Sequence, residues 1–245
     1  MGENCLAEML GRYASLSAAE HSALAALEVN ARKYRKGAVL RSERQPADEI
    51  FIVTKGWLFC SLLLEDGRRQ IIRLNFRGDL LGSDSLAFKD AADAICALTD
   101  CEVEVIDRAA LSRIFADHPR LGALLFVLQQ VDRVMMMDRL ASLGRSSAKG
   151  RVAALLLWVH GRLKLADPTI DGVFALPLTQ EEIGDATGLT AVHVNRTMRA
   201  LTEQKLIERA GNNTVRLLDI GRLARVAHYV ERRESFDTAW LPPAR

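Results

Sequence analysis

The chain has 245 residues, 49% apolar, 26% charged and 6% aromatic, with a formal net charge of +2. This apolar share supports a packed core and excludes a disordered chain, and the length fits one large domain or two modest ones at about 100–200 residues each. The small net charge hides a division: residues 1–144 hold 18 Lys+Arg against 20 Asp+Glu, and residues 145–245 hold 15 against 11, so the C-terminal part is the better suited to a polyanion.

In chain order, the opening Met1-Gly2-Glu3-Asn4-Cys5-Leu6 carries an acid where a signal peptide carries positive charge, and Leu6 stands where a myristoylation signal has Ser or Thr. The longest apolar run, residues 152–159 between Arg151 and His160, falls well short of the ~18–20 residues of a membrane helix. A soluble, cytoplasmic protein with no membrane partner is expected. Ser17 and Glu20 form a capping box, and Leu24, Ala25 and Leu27 line one face of the short helix it starts. From about Tyr34 to Ile106, short apolar runs (50–53, 57–64, 70–76, 94–98 and 103–106) alternate with Gly37, Gly56, Gly67, Gly78 and Gly82. Asp66-Gly67 is a hairpin turn signal, and strands at this spacing predict a small β-roll or jelly roll.

The period changes at Pro119. Leu121, Leu124, Leu128, Val131 and Met135 step by three and four, which predicts a helix to about Leu143 with a dimerisation seam. Such a stripe also suits a helix lying on its own domain. A second stripe, through Leu125, Val127 and Val134, suggests two neighbours, the chain's own roll and a twin helix. Met135-Met136-Met137 reads as adaptable packing. Gly144-Arg145-Ser146-Ser147 should break the helix. Residues 148–165 form another, stopped by Asp167-Pro168, and a short strand follows at 174–176.

Thr179 to Glu182 is a capping box for a helix that must stop at Gly188, and Thr190 caps a second helix beginning at Ala191 and running to about 203. Gly184 permits close approach of the two helices, and Ile183, Leu189 and Val194 fill their shared core. This is a helix-turn-helix. Residues 206–209, the turn Gly211-Asn212-Asn213 and residues 215–217 add a β-hairpin, making a winged helix. Val192, His193, Asn195, Arg196 and Arg199 cannot all be buried on one helix. They offer base-reading and phosphate-binding groups: Arg suits guanine, Asn suits adenine, and Val packs on a thymine methyl.

Cys5, Cys60, Cys96 and Cys101 are too few and too scattered for a disulfide framework, and the step from Cys96 to Cys101 is not a knuckle spacing. The apolar contexts of Cys60, Cys96 and Cys101 suggest inert packing. Asp66, Asp79 and Asp84 lie near turns without an accompanying nucleophile, base or metal-ligand pattern, so an enzyme is not expected.

The order is thus α+β: an N-terminal β-roll of the cyclic-nucleotide-binding type (1–118), a dimerisation helix (119–144), a winged helix-turn-helix (145–234) and a tail (235–245). From about Leu16 to Tyr229 this order resembles the Crp/Fnr family of bacterial transcription regulators. Two stretches carry the likeness. One is residues 178–190 (Leu-Thr-Gln-Glu-Glu-Ile-Gly-Asp-Ala-Thr-Gly-Leu-Thr) with 192–199 (Val-His-Val-Asn-Arg-Thr-Met-Arg), and the other is residues 75–82 (Asn-Phe-Arg-Gly-Asp-Leu-Leu-Gly).

The resemblance implies a homodimer that binds a palindromic site in double-stranded DNA and contacts RNA polymerase. It implies DNA contacts at Thr179, Gln180, Thr190, Val192, His193, Asn195, Arg196 and Arg199. Val192, Asn195 and Arg196 fall at the base-reading positions of the Fnr branch, where the usual Glu is Val192 and the usual Ser is Asn195. An effector pocket would lie near Gly82, Ser83 and Asp84. In cyclic-AMP-binding members a Gly-Glu pair grips the ribose and an Arg-Ser pair the phosphate. Here Gly82-Ser83 and Ala91-Ala92 stand in those places, beside Asp90 and Asp93. With acids and no cation in that stretch, binding of cyclic AMP is not expected.

A [4Fe–4S] cluster lacks ligands, because Cys5 is alone near the N-terminus and Glu104 takes the β-roll position. The FixK-like members are the nearest in pattern. No cofactor is predicted, although haem through His21, His118 or His160, or a small-molecule effector, stays open. The competing reading is a ligand-binding or redox-sensing module (haem or thiol) whose helix-turn-helix serves protein contacts.

Overall fold

The computed structural model describes residues 4–27, 30–211, 213–232 and 236–244. The sequence readings that involve Met1, Gly2, Glu3, Asn212 and Glu234 fall on residues outside this set. The chain divides into two compact units, one made of Met1–Leu62, Arg73–Val134 and Arg233–Arg245, the other of Leu63–Ile72 and Met135–Arg232.

The first unit opens with α1 (Cys5–Leu10) and α2 (Ala18–Ala25). The Ser17 capping box forms: the Glu20 amide donates to Ser17 Oγ at 3.3 Å and the Ser17 amide to Glu20 Oε2 at 2.8 Å. Helix α1 carries no periodic signal in the sequence, since six residues are too few to show one. It is capped by Asn4 and buries Cys5, Leu6, Ala7, Met9 and Leu10.

Strands β1 (Ala31–Tyr34), β2 (Val39–Arg41), β3 (Glu49–Lys55), β4 (Leu58–Leu63), β5 (Arg69–Asn75), β6 (Leu80–Leu81), β7 (Ala94–Ala97) and β8 (Cys101–Asp107) form two four-stranded sheets, ordered β1-β8-β3-β6 and β2-β7-β4-β5. The central strand β3 shows why its apolar run is unbroken. Alternate residues face opposite sides. Phe51 and Val53 enter the roll interior with Leu58, Ile95 and Val103. Ile50 and Ile52 face a second core built from the helices. Both faces being covered, the usual polar alternation is absent. Strands β1, β2 and β6 carry too little apolar signal to be read from sequence. A 3-10 helix (Ser83–Ala87) follows β6, and α3 (Arg108–Asp117), absent from the sequence-based expectations, starts at an Asp107 cap.

Helix α4 (Pro119–Arg145) is longer than expected and runs through Gly144. Leu121, Leu124 and Leu128, which the sequence pattern places on a dimer seam, are 0%, 0% and 3% exposed and lie in the core with α1, α2, Ile50 and Ile52. They are therefore not available to a partner. Val131 packs against the same core, and Met135 is half-buried on the same side of the helix. A three-four stripe records burial, not what it is buried against. The apolar side chains that α4 leaves in solvent include Phe126 (57%), Met137 (61%) and Leu140 (73%).

The tail also belongs to the first unit. Leu241 sits in the helical core, the Phe236 ring lies 4.9 Å from that of Tyr13, and Thr238 Oγ1 donates to the Tyr13 carbonyl at 2.5 Å. Arg120 joins these parts. It pairs with Glu20 at 2.8 Å and donates through Nε to the Pro242 carbonyl at 2.6 Å.

The second unit contains α5 (Ala148–Ala166), β9 (Val173–Ala175), α6 (Gln180–Thr187), α7 (Ala191–Glu203), β10 (Ile207–Ala210), β11 (Thr214–Leu217) and α8 (Ile220–Ala227). Apolar residues of α5, including Val152, Leu156 and Val159, are fully buried, and α6, α7 and α8 pack on that helix. The three short strands form one antiparallel sheet ordered β10-β11-β9. Among the described residues no helix is long and apolar enough to cross a membrane.

Candidate nucleic-acid interface

The joint between α6 and α7 follows from local chemistry. The Glu182 amide donates to Thr179 Oγ1 at 3.1 Å while the Thr179 amide donates to Glu182 Oε2 at 2.7 Å, closing the first capping box. Gly188 ends α6 with φ 65°, a conformation in which a side chain is strained. Thr190 Oγ1 then accepts from the His193 amide at 3.3 Å and starts α7. At Gly184 an added Cβ would stand 2.4 Å from the Leu189 carbonyl oxygen, so any larger residue pushes the two helices apart. Ile183, Val194, Met198 and Leu201 are buried beneath.

Side chains from elsewhere in the unit hold the end of α6, whose last carbonyls have no partner within the helix. Arg151 Nη1 donates to the Thr187 carbonyl at 2.9 Å, and Arg139 Nη2 to the Ala186 carbonyl at 2.7 Å. Gln70 Nε2 reaches the Asp185 carbonyl at 2.5 Å, and Arg69 pairs with the Asp185 carboxylate at 2.7 Å. Burial lowers the pKa of Arg139 to about 10. The cation stays charged at neutral pH.

The site residues expected from sequence gather around this joint. Val192, His193, Asn195, Arg196 and Arg199 are all exposed on α7, Val192 at 74%. Thr179 and Thr190 are exposed at the starts of the two helices, and Gln180 is half-buried. Arg196 has no ion pair among the described residues, whereas Arg199 pairs with Glu203 one turn on at 2.9 Å. Sequence reasoning does not single out Arg209 and Arg216, exposed on the two strands of the wing. For Arg216 the alternation of buried and exposed residues along β11 is the signal that could have found it, whereas β10 is exposed from Glu208 to Ala210 and gives no such signal for Arg209.

The other sequence candidates resolve differently. His160 is buried; its Nε2 accepts from the Gly172 amide at 3.3 Å and its ring lies 5.8 Å from that of Phe174, which is a packing role. Burial and the neighbouring Asp93 push the Cys60 thiol well up, and burial with Asp100 pushes Cys101 up to about 11. Both thiols thus stay protonated and poorly nucleophilic. Near the expected effector pocket Gly82 is buried, Ser83 half-buried and Asp84 exposed.

Residues 150–226 match the Crp-like helix-turn-helix domain and residues 31–118 the cyclic nucleotide-binding domain. The transcriptional activatory protein AadR of Rhodopseudomonas palustris is 30% identical over 91% of this chain and 92% of its own length. The chain belongs to the Crp/Fnr family. The nitrogen fixation regulation protein FixK of Bradyrhizobium diazoefficiens is 32% identical over 79% of this chain and 80% of the relative. The solved structure of FixK2 from Bradyrhizobium japonicum superposes with a TM-score of 0.75 at 28% identity, covering 82% of this chain and 98% of that one. This Crp/Fnr member is therefore a DNA-binding transcription regulator, with a cyclic-nucleotide-binding-type β-roll and a C-terminal helix-turn-helix.

Proposed function

We propose that this regulator acts in the cytoplasm as a homodimer reading a palindromic duplex site, with α7 of each protomer in a major groove. The observation that carries the reading is the outer face of α7. Its polar and cationic groups stand in solvent, and Arg196 is not engaged by any acid among the described residues. Val192, Asn195 and Arg196 meet base edges. His193, Arg199, Thr179, Gln180 and Thr190 lie toward the backbone, where exposed helix starts also favour phosphate. Dimerisation uses the side of α4 that bears Phe126, Met137 and Leu140, opposite the side of Leu121, Leu124, Leu128, Val131 and Met135. Its side chains recur at helical spacing and stand in solvent. Contact with RNA polymerase, and activation rather than repression, are supported by the activator names of relatives such as AadR. The protein performs no catalysis in this reading.

The test is a binding isotherm on a site selected from random duplexes. A dimer protects two half-sites about one helical turn apart, and affinity falls steeply as salt rises. A single unpaired footprint rejects the dimer, and a salt-independent affinity rejects groove binding.

A further inference from the structure

In nucleotide-binding members of the family the ribose and the phosphate are held at the places of Gly82-Ser83 and Ala91-Ala92, so both segments can be tested for fit. In this chain a side chain from β2 stands between them. Arg41 is 5% exposed. Its Nη2 donates to Asp93 Oδ1 at 3.1 Å and to Ser85 Oγ at 3.3 Å, and Ser85 Oγ also accepts from the Ala92 amide at 3.2 Å. On the other side an added Cβ at Gly82 would lie 2.7 Å from Arg41 Nη1. The guanidinium therefore touches Gly82 and is tied to the stretch containing Ala92 and Asp93.

The surroundings close this space to a cyclic nucleotide. Ser85 and Asp93 are both buried. Burial and the Asp84 carboxylate raise the Asp93 pKa by more than Cys60 and Arg41 lower it, so it lies above the usual carboxylate value. A phosphate brought here would displace the carboxylate from its cation or face it directly, and either is unfavourable. Arg73 is tied to Asp132 at 2.9 Å, and Arg44, whose amide donates to the Ala91 carbonyl at 2.9 Å, carries its side chain in solvent 3.9 Å from Glu43. The residues present do not fit the cyclic nucleotide that the domain family implies.

We infer that the Arg41 guanidinium, paired with Asp93 and seated against Gly82, is a built-in occupant of the β-roll's nucleotide pocket, so that the protein takes its DNA-binding form without a cyclic nucleotide. The second half rests on the DNA-binding reading above, and the first half does not.

The test uses the full chain. Wild-type protein titrated with cyclic AMP and with cyclic GMP to millimolar concentration gives no binding heat and no change in Tm. Saturable heat with a rise in Tm for either nucleotide overturns the inference. Arg41→Ala melts at lower temperature, and millimolar methylguanidinium recovers at least half of that loss where an equal concentration of sodium chloride does not. An unchanged Tm in Arg41→Ala, or no selective recovery, also overturns it. If Arg41→Ala does not fold, the wild-type titration alone decides. These readouts contain no DNA, so their failure is distinct from failure of the DNA-binding reading. On a selected DNA site the wild-type affinity stays within about twofold with or without nucleotide. A gain of about tenfold or more on adding either one overturns the second half.

Discussion

Arg41 is buried and faces Asp93, whereas Arg196 stands in solvent with no acid paired to it among the described residues. The same side chain does opposite work at these two places. In the β-roll unit, Arg41, Arg73 and Arg120 each meet a carboxylate of the same unit, Asp93, Asp132 and Glu20 in turn. On α7 the positive charge is offered outward. A cation already matched inside a unit holds that unit together, while an unmatched one at the surface is available to a polyanion.

The contrast can be broken most severely at the buried pair. Arg41→Met leaves Asp93 buried without its cation and should cost about 3–5 kcal/mol of stability, while Arg41→Met with Asp93→Leu recovers much of that loss. Denaturant unfolding of the three proteins checks it; equal losses in single and double variants would mean that the pair is not coupled. Next in size is the tail. Leu241→Ala removes a core side chain and should cost about 2–3 kcal/mol, read as a lower denaturation midpoint, without altering the salt dependence of DNA binding. A changed salt slope would show that the tail takes part in DNA contact.

At the outward-facing arginine the effect moves from stability to binding. Arg196→Ala should weaken specific binding by about 1–3 kcal/mol and relax preference at one base position, with Tm nearly unchanged. If the variant binds specific and random duplexes as the wild type does, Arg196 does not read a base. Arg199→Ala should lower the salt slope by about one and weaken all sequences alike. Its loss of stability should be only about 0.3–0.5 kcal/mol, since the pair with Glu203 is exposed. The smallest effect is a pH dependence. Burial opposes ionisation of Glu20, but the Ser17 amide and Arg120 outweigh it and lower its pKa below 4.5. A depressed carboxyl pKa adds stability above the unfolded value, and that share is lost as pH falls through the folded value. Acid titration of Tm should therefore be flatter for Glu20→Gln than for the wild type, and parallel curves would remove Glu20 from that role.

The helix-turn-helix is legible in the sequence because its determinants are near one another. Thr179 caps Glu182 three residues on, Thr190 caps His193, and Gly184 meets the Leu189 carbonyl within the same turn. The extent of α7 can be read from its caps and its mixed apolar and polar faces. The dimer seam is less legible. The pattern of Leu121, Leu124 and Leu128 shows a need for burial, but periodicity cannot say whether the covering surface is the chain's own α1 and α2 or a second copy.

Residue order alone thus specifies the short-range elements: the capping boxes, the glycine-dependent turn, the wing and the apolar strands of the roll. Which distant groups meet is left to the folded chain. Arg41 reaches Asp93 across 52 positions, and Thr238 reaches Tyr13 across 225. Read as sequence, the stretch from Asp90 to Asp93 is therefore short of a cation, and the tail has no attachment. Backbone preferences and caps act over a few residues, whereas ion pairs and core packing depend on chain segments that only folding brings together.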